Sequence, residues 1–323
     1  MKIVIPGGTG HVGTLLARAF HRDGHHVVIL SRTPQPAPWR VAAWHPPTLG
    51  AWAAELDGAD VVINLAGRSV NCRYTPHNRH LILDSRITAT RAVGAALARA
   101  VHPPPLWLQA STATIYAHRY DAPNDEWTGL LGGSEPQVPA TWRFSIDVAT
   151  AWEQAVDAVA GATTRVVKMR SAIIMSPDRG GAFDVLLGLV RRGLGGRSGN
   201  GRQYVSWIHE QDFIRAVYWL IDHADLAGPV NLSAPHPLPN AAFMRALRDA
   251  WGIRFGLPAT AWMLELGARA LQTETELVLK SRRVVPTRLL ASGFTFDLPT
   301  WPEAARDLCQ QWRRLHTGRI APG

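Results

Sequence analysis

The chain opens Met1-Lys-Ile-Val-Ile-Pro-Gly-Gly-Thr-Gly-His-Val-Gly-Thr-Leu-Leu16, and the order of residue types in that stretch decides the fold. An apolar run suited to a strand leads into glycines at 7, 10 and 13, spaced G-x-x-G-x-x-G, and a helical pattern follows. Strand, glycine turn and helix in that order make a dinucleotide phosphate loop. The glycines let the backbone turn tightly against a pyrophosphate, whose charge then sits on free N–H groups at the positive end of a helix starting near His11. Gly7, Thr9, Gly10, His11, Val12 and Gly13 are the candidate contacts. A second strand, Gly24-His-His-Val-Val-Ile-Leu30, ends at Ser31-Arg32 and completes the first unit of the pattern.

Outward from the loop, strand and helix alternate. Strands are expected over residues 2–5, 26–30, 60–65, 106–110 and 165–169, and helices over about 11–22, 48–56, 77–101 and 141–160. Proline-rich connectors such as Thr33-Pro-Gln-Pro-Ala-Pro38 cannot continue a helix and so punctuate the units. Alternation of this kind predicts an α/β fold, a Rossmann-type doubly wound parallel sheet, with a smaller, mainly helical C-terminal substrate domain. Residues 1–170, with a contribution from 200–235, are expected to form the nucleotide domain, and 171–199 with 236–323 the substrate-side domain. The glycine-rich stretch Gly193-Leu-Gly-Gly-Arg-Ser-Gly-Asn-Gly-Arg-Gln203 is expected to line a site or cross between domains. Further helices are expected over 209–224 and 240–251, with the short strand Val230-Asn-Leu-Ser233 between them. In the last helix Trp301, Leu308, Trp312 and Leu315 share one side, the pattern of core packing.

Composition narrows the function classes. The formal charge is +9, from 34 Lys and Arg against 25 Asp and Glu, but the arginines are scattered in isolated pairs without an aromatic-interleaved strand or a helix-turn-helix pattern. A basic surface around an anionic cofactor explains them, and no nucleic-acid partner is expected. No apolar run approaches the roughly 20 residues of a membrane span, and the N-terminus is a strand with glycines rather than a signal peptide, so no membrane partner and a cytoplasmic location are expected. Cys72 and Cys309 are read as inert thiols. His25 and His26 point to opposite faces of a strand start, which with His21 suits no tetrahedral site, so no metal is expected.

The end of the second strand selects the cofactor. An acidic residue there would take a ribose 2′-hydroxyl; Ser31-Arg32 instead offers a guanidinium to a 2′-phosphate, which favours NADP(H) over NAD(H). After the next nucleotide-binding strand, Val61-Val-Ile-Asn-Leu-Ala-Gly67 puts small residues where the backbone must approach the adenosine side, with Leu65, Ala66 and Gly67 as contacts.

On these motifs the chain resembles the short-chain dehydrogenase/reductase superfamily in its extended, epimerase-like form. More narrowly it resembles the atypical epimerase-family proteins of unestablished substrate that carry their own C-terminal domain of unknown function. Further matches are Ser85-Arg-Ile-Thr-Ala-Thr90, Trp152-Glu153, the 195–203 glycine stretch, Ser206-Trp-Ile-His-Glu-Gln-Asp212, Asn231-Leu-Ser-Ala-Pro235, Ser281-Arg-Arg-Val-Val-Pro286 and Gly293-Phe-Thr-Phe296. The resemblance implies that Arg86 and the segment Arg170–Ile174 lie against the cofactor. It also implies Thr112, with Ser111 beside it, in the place of the catalytic hydroxyl; read from the residues alone, both also fit turn residues that cap a strand. A homodimer built from paired helices is common in that superfamily.

The usual Tyr-x-x-x-Lys pair is missing. If Trp152-Glu153 marks the end of that helical segment, as the resemblance implies, Ser145 and Ala149 stand where tyrosine and lysine belong, and a serine has no accessible titration near neutral pH. Tyr116 is a stand-in or a packing residue. His209 and Asp212 read first as structural hydrogen-bond partners, and Asp125-Glu126 as a solvated loop. Three readings remain open: hydride transfer on an unidentified small carbonyl or alcohol substrate, a non-catalytic NADP(H)-binding redox sensor or scaffold, and, ranked lowest, a nucleotide-sugar epimerase.

Overall fold

Strands buried on both faces read as near-continuous apolar runs, and β1 (Lys2–Pro6), β2 (His26–Ser31) and β4 (Val61–Asn64) are such runs. In the computed structural model, which describes residues 1–135, 138–270 and 274–317, they join β3 (Arg40–Ala43), β5 (Leu106–Thr112), β6 (Arg165–Ser171) and β10 (Gly228–Leu232) in one sheet. The strand order is β10-β6-β5-β4-β1-β2-β3, and pairing is parallel from β3 across to β6. This is the doubly wound arrangement, whose order reverses between β1 and β4.

The chain divides into two units. The first contains Met1–Ile115, Arg143–Ser171 and Ile214–Val230; the second contains Tyr116–Trp142, Ala172–Phe213 and the chain from Asn231 onward. Of the stretch 200–235, therefore, residues 214–230 belong to the first unit and the remainder to the second. Residues 318–323, included in the expected substrate-side domain, lie outside the described residues.

In the first unit α1 (His11–Arg22) buries Leu15, Leu16, Ala19 and Phe20. The long α2 (Pro76–Leu97) begins with Pro76 at a position where its missing N–H costs nothing, and the Thr75 hydroxyl caps it by accepting from the Asn78 N–H at 3.2 Å. α3 (Ala140–Asp157) buries Ile146, Ala149, Trp152 and Val156. Two expectations shift. The helix expected over 48–56 is a single 3₁₀ turn at Ala51–Glu55, and β3 is an edge strand not foreseen, since its four residues Arg-Val-Ala-Ala alternate too weakly to announce a strand.

The second unit is built from β7 (Ile173–Met175), α4 (Ala182–Arg191), β8 (Tyr204–Val205), β9 (Trp207–His209), β11 (Leu238–Pro239), α6 (Asn240–Trp251), α7 (Ala261–Ala270), α8 (Glu276–Leu279), α9 (Thr287–Ala291) and α10 (Trp301–Thr317). The helix α5 (Glu210–Asp222) begins there and continues into the first unit. The glycine-rich stretch runs alongside residues 257–259, with Gly196 N–H donating to Leu257 O and Gly199 N–H to Ala259 O. A Cβ on Gly196 would stand 2.4 Å from the Leu257 carbonyl carbon, so the residue is small because two backbones touch there. In α10, Trp301 and Leu308 are wholly buried and Trp312 nearly so, while Leu315 is 53% exposed and falls outside the packed stripe.

Trp301 anchors this core. Its ring stacks on Phe243 at 4.0 Å and meets Trp207 edge-on at 5.0 Å, and its indole N–H donates to the Phe243 carbonyl at 2.9 Å. Trp301→Ala is expected to destabilise the protein by about 3–5 kcal/mol, read as a lower denaturant midpoint; an unchanged midpoint would show that the core repacks around the gap.

Candidate functional site

The phosphate loop has the geometry its spacing predicts. Gly7 adopts φ +75°, in the left-handed region, and a Cβ there would lie 2.6 Å from Ala66 Cα. Gly13 sits so close to the turn that a Cβ would lie 2.4 Å from Gly8 Cα, which seats the first turn of α1 directly on the end of β1. The Gly7 N–H donates to Leu30 O and the Leu65 N–H to Pro6 O, so the segments leaving β1, β2 and β4 are tied together. Above this platform the N–H groups of His11, Val12 and Gly13 find no acceptor among the described residues, and Gly10 supplies no side-chain cap. The buried Nε2 of His11 is likewise without a partner there, and a Cβ on Gly10 would meet nothing within 4 Å. Unsatisfied donors around open space at a helix N-terminus are what an anionic phosphate group fits.

Ser31 is buried and its hydroxyl accepts from the Thr33 N–H at 3.3 Å, shaping the turn that puts Arg32 outside. Arg32 is exposed and pairs with no carboxylate among the described residues. After β4, Leu65 is half-buried, Ala66 is covered by Gly7, and Gly67 packs against Arg86, where a Cβ would come within 3.1 Å of the guanidinium carbon. Arg86 lies 4.9 Å over the Trp152 ring and donates to the carbonyls of Arg68 (3.0 Å) and Ile82 (2.9 Å). Burial brings its guanidinium down to about 10, and no carboxylate among the described residues pairs with it.

At the end of β5 the two hydroxyls differ. Ser111 is buried and donates to Glu153 at 2.6 Å, while Glu153 is held by Arg170 through two parallel bonds of 2.8 Å. That fork is a structural ion pair under the sheet end, which the sequence marks only as the Trp-Glu at 152–153. Thr112 is half-buried, and its hydroxyl accepts from the Thr114 N–H at 3.2 Å. On α3, Ala149 is fully buried, and the Ser145 hydroxyl donates to the hydroxyl of Tyr74 at 3.4 Å. Sequence reasoning passed over Tyr74, because it lies in the irregular segment before α2 and is brought to α3 only by folding.

The remaining candidates lie in the second unit. Tyr116 is 2% exposed and donates to Asn231 Oδ1 at 2.9 Å; Ile174 is the middle residue of β7, paired with Ile208 of β9. Asp125 accepts from the N–H groups of Trp127 and Thr128, an Asx-type turn. Glu126 accepts from the Asn231 N–H at 2.8 Å, and burial raises its carboxyl above the usual range. Asp212 holds the N–H groups of Asp297 and Leu298 at 2.8 and 3.0 Å. His209, fully buried, bonds Asp307 at 3.1 Å and accepts from the Gln211 N–H, and burial lowers its pKa.

Two outcomes follow from these contacts. Glu153→Ala would strand the buried Arg170 cation, with an expected loss of about 3–5 kcal/mol in unfolding free energy, against only about 1 kcal/mol for Ser111→Ala; equal small effects would show that the fork contributes nothing. His209 holds its proton less tightly folded than unfolded, so its contribution is present above about pH 6.5, the unfolded value, and is lost as pH falls toward the folded one. Stability of wild type should therefore drop over that interval more than stability of His209→Gln, measured by denaturant titration at each pH.

Residues 3–232 match the NAD dependent epimerase/dehydratase family, and residues 259–308 match a domain of unknown function, DUF1731. The mouse epimerase family protein SDR39U1 is 31% identical over 318 residues, covering 95% of this chain and 99% of the relative. The Bacillus subtilis epimerase family protein YfhF is 30% identical over 302 residues, covering 92% and 94%. Among solved structures, human epimerase family protein SDR39U1 (isoform 2), crystallised with NADPH, superposes with a TM-score of 0.83 at 28% identity, covering 96% of this chain and 99% of that one. With its parallel sheet, its glycine loop and a matching segment spanning most of its length, the chain belongs to the NAD dependent epimerase/dehydratase family, in the atypical extended branch that carries the DUF1731 domain.

Proposed function

We propose that the chain binds NADP(H) across the ends of β1, β2 and β4 and uses it for hydride transfer on a small carbonyl or alcohol substrate. The observation that carries this reading is the set of unsatisfied donors in one place: three N–H groups opening α1, and Arg32 at the end of β2 with no carboxylate among the described residues to neutralise it. The N–H groups of His11, Val12 and Gly13 hold the pyrophosphate. Arg32 takes the ribose 2′-phosphate, for which its planar fork is suited and which an acidic residue would repel. Ala66 and Gly67 let the adenosine side approach the backbone. The human relative crystallised with NADPH supports the same choice of cofactor. The nicotinamide, when bound, supplies or takes a hydride. Thr112, whose hydroxyl is not committed to an ion pair as that of Ser111 is, hydrogen-bonds the reacting oxygen.

Titration of the purified protein with NADPH, followed by nicotinamide fluorescence, tests the reading. Saturable binding is expected, with NADPH preferred over NADH. Loss of a charge-assisted contact in Arg32→Ala should weaken NADPH about 10–100-fold and leave NADH unchanged. Absence of NADPH binding by folded protein would overturn the reading, and equal loss for both nucleotides would remove Arg32 from it.

A further inference from the structure

Hydride transfer to a carbonyl carbon requires a proton for the carbonyl oxygen, and α3 offers no acid of its own at Ser145 or Ala149. Positions 145, 149 and 152 fall on one helical face. Other elements furnish that face. At its first position the Ser145 hydroxyl meets the Tyr74 hydroxyl at 3.4 Å, and the Tyr74 ring packs edge-on against Phe144 at 5.0 Å. At its last position the Trp152 indole N–H is fixed by the Thr90 hydroxyl at 3.1 Å, and Arg86 lies over the ring. Tyr74 stands two residues before α2, and Arg86 is in that helix. A phenol and a guanidinium are thereby delivered to the α3 face, the guanidinium beside the loop that leaves β4, since Gly67 packs on Arg86.

We propose that Tyr74 is the proton-transfer residue of this chain and that Arg86 is the cation that holds its phenolate; the inference rests on the hydride-transfer reading above. In the reducing direction the carbonyl carbon gains the hydride, the π pair of the C=O bond moves to oxygen, and that oxygen takes the proton of Tyr74 Oη. The phenolate so formed lies in the field of Arg86 and recovers a proton from water; alcohol oxidation runs the same transfers in reverse. A cation beside a phenol favours the charged phenolate, which makes the phenol a better acid. The same coupling acts on Arg86: burial weakens its cation, and a charge on Tyr74 would stabilise it. Besides Arg86, the titratable groups near Tyr74 include the Cys72 thiol of the same apolar cluster and Arg79, which bonds the Tyr74 carbonyl at 2.9 Å and lies 5.0 Å over Phe144. Both cations act in the same direction. Tyr116, the tyrosine that the sequence suggests, has its hydroxyl on Asn231 and is the control.

The test uses the full chain with its five tyrosines carbon-13 labelled at the ring carbon bearing oxygen. The resonance missing in Tyr74→Phe belongs to Tyr74, and a different one disappears in Tyr116→Phe. In Arg86→Gln the titration midpoint of the Tyr74 resonance should rise, an acidity about tenfold weaker, and Arg86→Lys should restore it. NADPH should shift the same resonance in wild type and should bind Tyr74→Phe as tightly as wild type by fluorescence. Equal midpoints in wild type and Arg86→Gln would overturn the proposal, as would a Tyr74 resonance indifferent to bound NADPH. Should Arg86→Gln not fold, Arg86→Lys and the NADPH response decide. Failure of wild type to bind NADPH would overturn the hydride reading itself, and with it this use of the pair, whatever the Arg86 variants show.

Discussion

A side-chain carbon at position 13 would stand 2.4 Å from Gly8 Cα, and one at position 7 would stand 2.6 Å from Ala66 Cα. These two close approaches fix how the first helix sits on the sheet and how the segments after β1 and β4 meet. The residue that precedes α1 is Gly10, which has no side chain to cap it, so the first N–H groups of the helix are left without an acceptor among the described residues. The switch in strand order between β1 and β4 then places the opening beside those donors.

Satisfied and unsatisfied charges separate structural from functional groups in this fold. Arg170 is buried and paired with Glu153, which also takes the Ser111 hydroxyl; the end of β5 is tied to α3 by that fork. Asn64, buried at the end of β4, donates to Gln109 at 3.0 Å and accepts from the Ala66 N–H, locking the neighbouring strand ends in the same way. Arg86 sits only a few side chains away with carbonyls and an aromatic face for company and no carboxylate among the described residues. Burying a cation without a counter-charge is costly, and the cost is tolerable where an anion arrives during function.

Local patterns carried the sequence reading a long way. The glycine loop, the five strands from 2 to 169 and the helices over 11–22, 77–101 and 141–160 follow from periodicity and turn residues, because each is determined within a dozen neighbouring positions. β3 escaped notice because an edge strand of four residues after a proline-rich connector leaves almost no periodic signal. The site was legible only where one segment builds it. Ser145 and Ala149 could be read as gaps, but what stands opposite them could not, since Tyr74 and Arg86 reach α3 from 60 to 70 positions earlier in the chain. Tyr116 stood out in sequence by following the hydroxyl segment, yet its partner Asn231 is more than a hundred residues away.

The gap at Ala149 is also what electrostatics requires once Arg86 is in place. Arg86 lies over Trp152, less than one helical turn beyond Ala149 on the same face of α3. A lysine at 149 would bring a second cation to the helix face that Arg86 already covers, and like charges on one face repel. A neutral residue at one of the two positions avoids that repulsion. With the cation supplied by α2, a small residue at 149 lets α3 pack on the sheet without that penalty, and Ala149 is fully buried. A serine at 145 is suited to the same arrangement, since its short hydroxyl reaches the Tyr74 oxygen. If Tyr74 and Arg86 serve the reaction as proposed, the two departures on α3 and the two side chains before and within α2 form a single exchange, in which the charge and the phenol change their place in the sequence while the helix face stays the same.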